Sequence, residues 1–224
     1  MSAGPGPDLA PAVLWGLEAQ AERLRTRLAA GERRAGWKIA LNDPRVQHAL
    51  GIGAPVIGYL TSATVVPSGA THSLSGATQP AVEPEVAVHV GEGGEVAALG
   101  AALEVIDVDM PFDDLGAILE RNVFHRAAAL GPPVPGVAGL GGLTARLRHP
   151  GGEEVTIDVA AASLHPADVV RLVGGYLEAV GDGLRAGDVI IAGSLVTALP
   201  LEGDGRVELE VDSLGAVTLD VRSA

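Results

Sequence analysis

Hydrophobic positions along the chain change period several times, and each change marks an expected element. Val13, Leu14, Leu17, Ala21, Leu24 and Leu28 recur at the spacing of one helical face, and Gly31 stands where that helix would stop. Gly36-Trp37-Lys38-Ile39-Ala40-Leu41 then reads as a short strand. Asp43-Pro44 supplies a cap and a first-turn proline for a short helix that Gly51 ends. From about residue 53 to 110 the pattern is one of strands and turns rich in Gly, Pro, Ser and Thr. A polar, partly helical segment from Asp113-Asp114 to Arg126 follows, with residues expected to cover a site. Strands are expected over Leu143 to Arg148 and Glu154 to Val159, either side of the turn His149-Pro150-Gly151-Gly152. A helix from about Pro166 to Val180 leads through Arg185-Ala186-Gly187-Asp188 into Val189-Ile190-Ile191-Ala192, and a hairpin over Val207 to Val211 and Ala216 to Val221 ends the chain. No internal repeat appears, and no linker divides the chain.

Two acids break this pattern. Glu83 and Glu85 lie two residues apart inside the apolar run 80 to 90, so a strand there projects both carboxylates from one face. Neighbouring carboxylates repel unless something positive lies between them. Glu104 interrupts a second apolar run, Ala101-Ala102-Leu103-Glu104-Val105-Ile106-Asp107. Three oxygen donors on a rigid sheet suit Mg²⁺ or Mn²⁺, hard cations that keep open positions for water and substrate. Ordinary exposed acids on a polar strand face are the plain alternative, and Pro84 points to an edge strand or a bulge.

Lys38 sharpens the first reading. Fourteen of the fifteen Lys and Arg residues are arginine, which leaves Lys38 as the single lysine. An ammonium sheds its proton when desolvated, and a guanidinium does not. Gly36 and Ala40 share the face of Lys38 and leave room beside it, and a lysine snorkelling from an edge strand is the plain alternative.

Composition limits the function classes. The chain has 224 residues, enough for one domain with an appended helix, and 47% hydrophobic content with only six aromatic residues implies an aliphatic core. A formal charge of −13 opposes nucleic acid and anionic membranes, so an anionic substrate needs a local positive centre. With no cysteine, disulfides, thiolate metal sites and a cysteine nucleophile are excluded. The start of the chain has neither the charge nor the apolar run of a secretory signal, and a cytoplasmic protein is expected.

Seven motifs in order resemble the fumarylacetoacetate hydrolase superfamily, in its 2-oxopent-4-enoate hydratase and 4-oxalocrotonate decarboxylase branch. Gly36-Trp37-Lys38-Ile39 is similar to that branch's Gly-aromatic-Lys-Ile strand, and Leu50-Gly51 and Pro55-Val56-Ile57-Gly58-Tyr59-Leu60 follow. Val82-Glu83-Pro84-Glu85-Val86-Ala87 resembles its metal strand, and Ala102 to Asp107 the strand with the third carboxylate. Leu184 to Ile190, Gly193-Ser194 and Leu214-Gly215-Ala216-Val217 complete the set, with Asn122 near the branch's Asp-Asn segment. Departures are visible too. Val108-Asp109 and Phe112-Asp113 stand where the branch commonly has Ser-Arg and an aromatic-Lys pair, Ala192 replaces a threonine, and one helix rather than two precedes the lysine strand.

The resemblance implies an α+β fold: a mixed β-sheet roll of the fumarylacetoacetate hydrolase C-terminal type, with an N-terminal helix and few others. It divides the chain into a tail and helix over 1–35 and a catalytic domain over 36–224. It implies Mg²⁺ (or Mn²⁺) on Glu83, Glu85 and Glu104, Lys38 as the catalytic residue, and Ser194, Asn122 and His125 toward the substrate. The implied activity is that of a lyase on a small unsaturated 2-oxo acid, decarboxylating or hydrating it through an enolate stabilised by the metal. Val56 stands where hydratase relatives have a water-orienting aspartate, which tilts the expectation toward decarboxylation. C–C bond hydrolysis of an acylpyruvate and a non-catalytic partner subunit are the alternatives, and a homo-oligomer or a hetero-complex with a related hydratase or decarboxylase is the expected assembly. Ser194 lacks the Gly-x-Ser-x-Gly elbow of a nucleophile.

Overall fold

The computed structural model describes residues 9–137 and 139–223, so the tail expected at the start of the chain lies mostly outside the described residues. Helix α1 (Pro11–Ala29) buries Val13, Leu17, Gln20 and Leu24 on one face, with Gly31 beyond its end at φ 100°. Strand β1 (Arg34–Ala40) leads to α2 (Pro44–Leu50), where the Asp43 carboxylate accepts from the Arg45 N–H and Gly51 takes a left-handed φ of 68°. The turn-rich stretch forms β2 (Val56–Thr61), β3 (Val65–Pro67), β4 (Ala70–Ser73), β5 (Pro80–Val90) and β6 (Val96–Asp107). Helix α3 (Leu115–Glu120), capped by Asp114, occupies only part of the expected segment. Asn122, Val123 and Phe124 end it with φ values of 61°, 49° and 65°, turning the chain into β7 (His125–Leu130). Then come β8 (Val134–Pro135), β9 (Thr144–Arg148), β10 (Val155–Asp158), α4 (Val159–Ala162), α5 (Pro166–Ala179), β11 (Val189–Ile191), β12 (Leu199–Pro200), β13 (Gly205–Val211) and β14 (Gly215–Arg222).

Nine strands form one mixed sheet in the order β2-β1-β11-β5-β6-β7-β3, with β12 also on β5 and β8 on β6. Its two ends are joined in sequence, because β3 follows β2 through a turn in which the Thr64 N–H donates to the Thr61 carbonyl. The sheet is thereby drawn into a roll. A second sheet has the order β10-β9-β13-β14-β4. Trp37, Val86, Leu103 and Ile190 face outward from the roll into the main core, which also holds Leu17 and Leu24 of α1, Leu177 of α5 and Leu147, Leu209 and Leu219 of the second sheet. Leu60, Ala87, Ala102, Ala128 and Ile191 form a separate cluster on the other face, where mostly small side chains suit a narrow interior.

Pro84 lies in a central strand, not at an edge. It pairs with Leu103 of β6 on one side, and on the other it falls between the segments of β5 paired with β11 and with β12. Its carbonyl accepts from the Leu195 N–H on that second side, and the position without an N–H falls where neither β11 nor β12 pairs with β5.

Gly36 has a different constraint. At φ 148° it approaches β11 so closely that a Cβ would lie 1.9 Å from the Val189 carbonyl oxygen. Gly36→Ala is expected to lower stability by at least about 2 kcal/mol through strain and overpacking. In urea unfolding the midpoint should fall with little change in slope.

Candidate metal centre

Glu83 and Glu85 leave β5 on one side, and the antiparallel register sets Glu104 directly opposite Glu83 and Ala102 opposite Glu85. Ala102 leaves the space that a larger side chain would take. One oxygen from each carboxylate lies within 4.8 Å of the other two. Oxygens bound to a single ion at about 2.0 to 2.6 Å are separated by at most roughly 5 Å, so the three fit one coordination shell.

Among the described residues, Glu85 and Glu104 are each held by one oxygen and have no partner on the other. Glu85 Oε2 accepts from the Gly193 N–H at 2.7 Å, and Glu85 Oε1 has no partner. Glu104 Oε1 accepts from Lys38 Nζ at 2.5 Å and contacts His125 Nδ1 at 2.7 Å, and Glu104 Oε2 has no partner. A buried polar atom without a hydrogen bond costs about 1 to 3 kcal/mol, more when charged. Two such oxygens in a converging set are the donor atoms a divalent cation requires, so the residues fit a hard metal ion.

Electrostatics divides the three acids. Burial, with the Glu104 charge adding to it and Lys38 opposing, pushes the Glu83 carboxyl up to about 7. Burial and the charges of Glu104 and Glu83 raise Glu85 well above the carboxylate range. Burial acts upward on Glu104 also, but Lys38 and His125 outweigh it and hold this carboxyl below its ordinary value. Burial lowers His125 despite the pull of Glu104, which favours a neutral ring with Nδ1–H donated to the carboxylate. The other ring nitrogen, Nε2, is buried and unpartnered.

Lys38 is 1% exposed and so does not snorkel. On β1 it stands opposite Gly58 of β2, where a Cβ would meet the Lys38 stem at 2.8 Å and Asn122 Oδ1 at 2.7 Å. Beyond that narrow passage Nζ donates both to Glu104 and to the Val123 carbonyl at 3.0 Å.

The structure therefore brings Glu83, Glu85, Glu104, Lys38 and His125 together. Asn122 and Ser194, expected to meet substrate, are engaged elsewhere. Asn122 Oδ1 accepts from the Tyr59 N–H at 2.7 Å and Asn122 Nδ2 donates to the Tyr59 carbonyl at 2.9 Å, so the whole amide holds backbone. Ser194 Oγ donates to the Val196 carbonyl, and it is the preceding residue, Gly193, whose N–H reaches a metal-site acid. Sequence reasoning missed Gly58, Gly193 and the Val123 carbonyl. A glycine inside the strand Val56-Ile57-Gly58-Tyr59-Leu60 was a readable sign of close approach. The two backbone groups left no sign.

The loop before α3 lacks basic residues, and the arginines after it are already matched. Arg121 pairs with Asp109, and Arg126 lies 3.7 Å from Asp107. Phe112 packs against Phe124 with ring centroids 5.0 Å apart and the rings tilted by 49°.

No protein-family model matches the chain. It is 28% identical over 227 residues to the 2-hydroxyhexa-2,4-dienoate hydratase of Comamonas testosteroni, across 88% of this chain and 81% of that one. It is 24% identical over 219 residues to the 4-oxalocrotonate decarboxylase of Pseudomonas sp. (strain CF600), across 90% of this chain and 82% of the relative. The chain is a homologue of these hydratases and decarboxylases. Its fold matches the structure of 4-oxalocrotonate decarboxylase from Pseudomonas putida G7 complexed with magnesium and adipate, with a TM-score of 0.80, 23% identity, and coverage of 93% of this chain and 85% of that one. Neighbours of the fumarylacetoacetate hydrolase family share the architecture, in keeping with the expected α+β roll behind one long N-terminal helix. Among the described residues no helix is long and apolar enough to cross a membrane.

Proposed function

We propose that the protein is a divalent-metal-dependent lyase acting on a small unsaturated 2-oxo acid. The observation that carries this reading is the pair of buried, unpartnered oxygens on Glu85 and Glu104, converging with Glu83 beside the buried Lys38. Glu83, Glu85 and Glu104 would hold Mg²⁺ or Mn²⁺. When bound, the ion supplies Lewis-acid stabilisation of negative charge developing on the substrate's 2-oxo oxygen.

The protein's own groups do the rest. The Gly193 N–H orients Glu85, and Lys38 with His125 holds Glu104 by Oε1, leaving Oε2 without a partner among the described residues. Lys38 Nζ holds a proton next to that carboxylate, where it can be lent to the substrate and taken back. Ala87, Ala102 and Ile191 on the same face of the sheet keep water from that side of the site. Of the three side chains first assigned to the substrate, His125 keeps a free ring nitrogen and retains that role in this reading.

Loss of CO₂ from a dicarboxylate is the favoured reaction. Val56, paired with Ala40 at the end of β2, packs into the main core, so this position offers no polar group with which to orient water. Hydration is the second reading, supported by the acidic partners of Arg121 and Arg126, which compete with a distal carboxylate. Product analysis by NMR decides between them, with protein and Mg²⁺ given 2-oxo-dienoates with and without a distal carboxylate, and acylpyruvates. CO₂ release from the dicarboxylate should exceed hydration. Hydration without detectable CO₂ would reverse the order, and cleavage of acylpyruvates alone would replace the lyase by a hydrolase.

A further inference from the structure

We propose that Asn122 is a positioning residue for Lys38, bracing a strained left-handed turn that closes the passage through which the lysine reaches the metal centre. The proposal rests on the lyase reading for its kinetic consequence only.

Three consecutive residues other than glycine, Asn122, Val123 and Phe124, have φ of 61°, 49° and 65°. Asn tolerates this region, but β-branched Val and bulky Phe do not, so a run of three persists only where its surroundings over-determine it. Those surroundings are visible. The Asn122 amide makes a two-point bond to the Tyr59 backbone. The helix end from which the turn springs is held by the buried Gln20, whose Nε2 donates to the Leu119 carbonyl at 2.9 Å and to the Ile57 carbonyl at 3.1 Å. Both side chains grip β2 on either side of Gly58, the residue against which the Lys38 stem lies.

What the turn delivers is the surroundings of one ammonium group. Asn122 Oδ1 sits where a Gly58 side chain would go, beside Lys38, and Val123 presents its carbonyl to Nζ. The residue after the turn, His125, shares Glu104 Oε1 with Lys38. An asparagine serving only to tolerate the backbone would not need both of its polar atoms bound to the neighbouring strand. A substrate ligand would have at least one of them free.

The single lysine makes a direct test available. Lysine labelled with ¹³C at Cε gives one side-chain NMR signal from the full chain, and it reports on Lys38 with no substrate or metal present. Asn122→Gly removes the brace while easing the backbone. The Lys38 signal should then move and broaden, and kcat on the best substrate should fall by about 100-fold, as expected for a misplacement on the order of 1 Å. KM should change much less than kcat, because both polar atoms of Asn122 are bound to Tyr59 and neither is offered to the substrate. An unchanged lysine signal overturns the proposal whether or not the protein turns over any 2-oxo acid, and a moved signal with native kcat overturns the link to the reaction. Should Asn122→Gly fail to fold, Gly58→Ala crowds Asn122 Oδ1 and the Lys38 stem together, and an unmoved Lys38 signal in that variant is equally fatal.

Discussion

Glu85→Gln is expected to abolish metal-dependent turnover and, at the same time, to raise the melting temperature of the metal-free protein above pH 7. Glu85 is wholly buried, with one oxygen held by the Gly193 N–H and the other bare. Burial and the charges of Glu104 and Glu83 all oppose its ionisation. Glutamine keeps the shape and the acceptor for Gly193, removes a charge from the trio and adds a donor near the bare oxygens. The sign of the pH dependence follows. Between the ordinary carboxylate value and a raised one, the folded protein keeps a proton that the unfolded chain has released, so stability falls as pH rises through that window. For Glu83 the window runs from 4.5 to about 7, which amounts to roughly 3 kcal/mol at 1.36 kcal/mol per unit. A bound cation displaces those protons, so the melting-temperature gain on adding Mg²⁺ should grow from pH 5 to about pH 7.5. Thermal melts across that range, with Mg²⁺ and with EDTA, read both effects. The glutamine variant should show no gain at any pH, and a native gain together with native turnover would remove Glu85 from the centre.

Much of this centre was legible because its chemistry conflicts with local pattern. Two acids at i and i+2 in an apolar strand have no role in solubility, and a single lysine among fourteen arginines marks a position that arginine does not fill. Glu104 was legible as an acid in an apolar run, but its convergence with Glu83 is a property of strand register. Capped helices were read with bounds close to those observed, as at Asp43 and Gly51. Pro84 misled because its edge-like environment comes from a gap between β11 and β12, two segments more than a hundred residues further along. Gln20 was invisible, since a polar residue in a helical apolar stripe looks like a lapse in the pattern rather than a buried bracket. The turn at Asn122 to Phe124 could not be foreseen from propensity, because Val and Phe both disfavour the conformation they adopt. Side chains report themselves in a sequence, whereas a carbonyl such as that of Val123 reaches its partner through tertiary structure alone.

Lys38→Ala is expected to lower kcat by about 10³-fold, within the range for removing a group that moves protons or stabilises charge, while Mg²⁺ affinity stays the same or rises slightly. The affinity argument is electrostatic. Lys38 binds Glu104 Oε1, and its charge lowers the carboxyls of Glu83 and Glu85, so its removal takes away a charge that repels a cation while letting those carboxyls hold protons more tightly, and the two effects offset in part. His125 remains to orient Glu104. Stability of the metal-free variant should fall by about 3 to 5 kcal/mol, the cost of leaving one partner of a buried ion pair alone, and Mg²⁺ should restore part of it. Lys38→Arg is the sharper test. Arginine keeps the positive charge, but a branched guanidinium does not fit where the stem passes Gly58 and Asn122 Oδ1, and it cannot release a proton to the reaction. It should therefore be as slow as the alanine variant, and Gly58 leaves nothing to trim in compensation. Calorimetric titration with Mg²⁺ alongside steady-state rates separates the two roles, since an arginine variant at the native rate would reduce Lys38 to a fixed charge, and an alanine variant that no longer binds Mg²⁺ would make it part of the metal site.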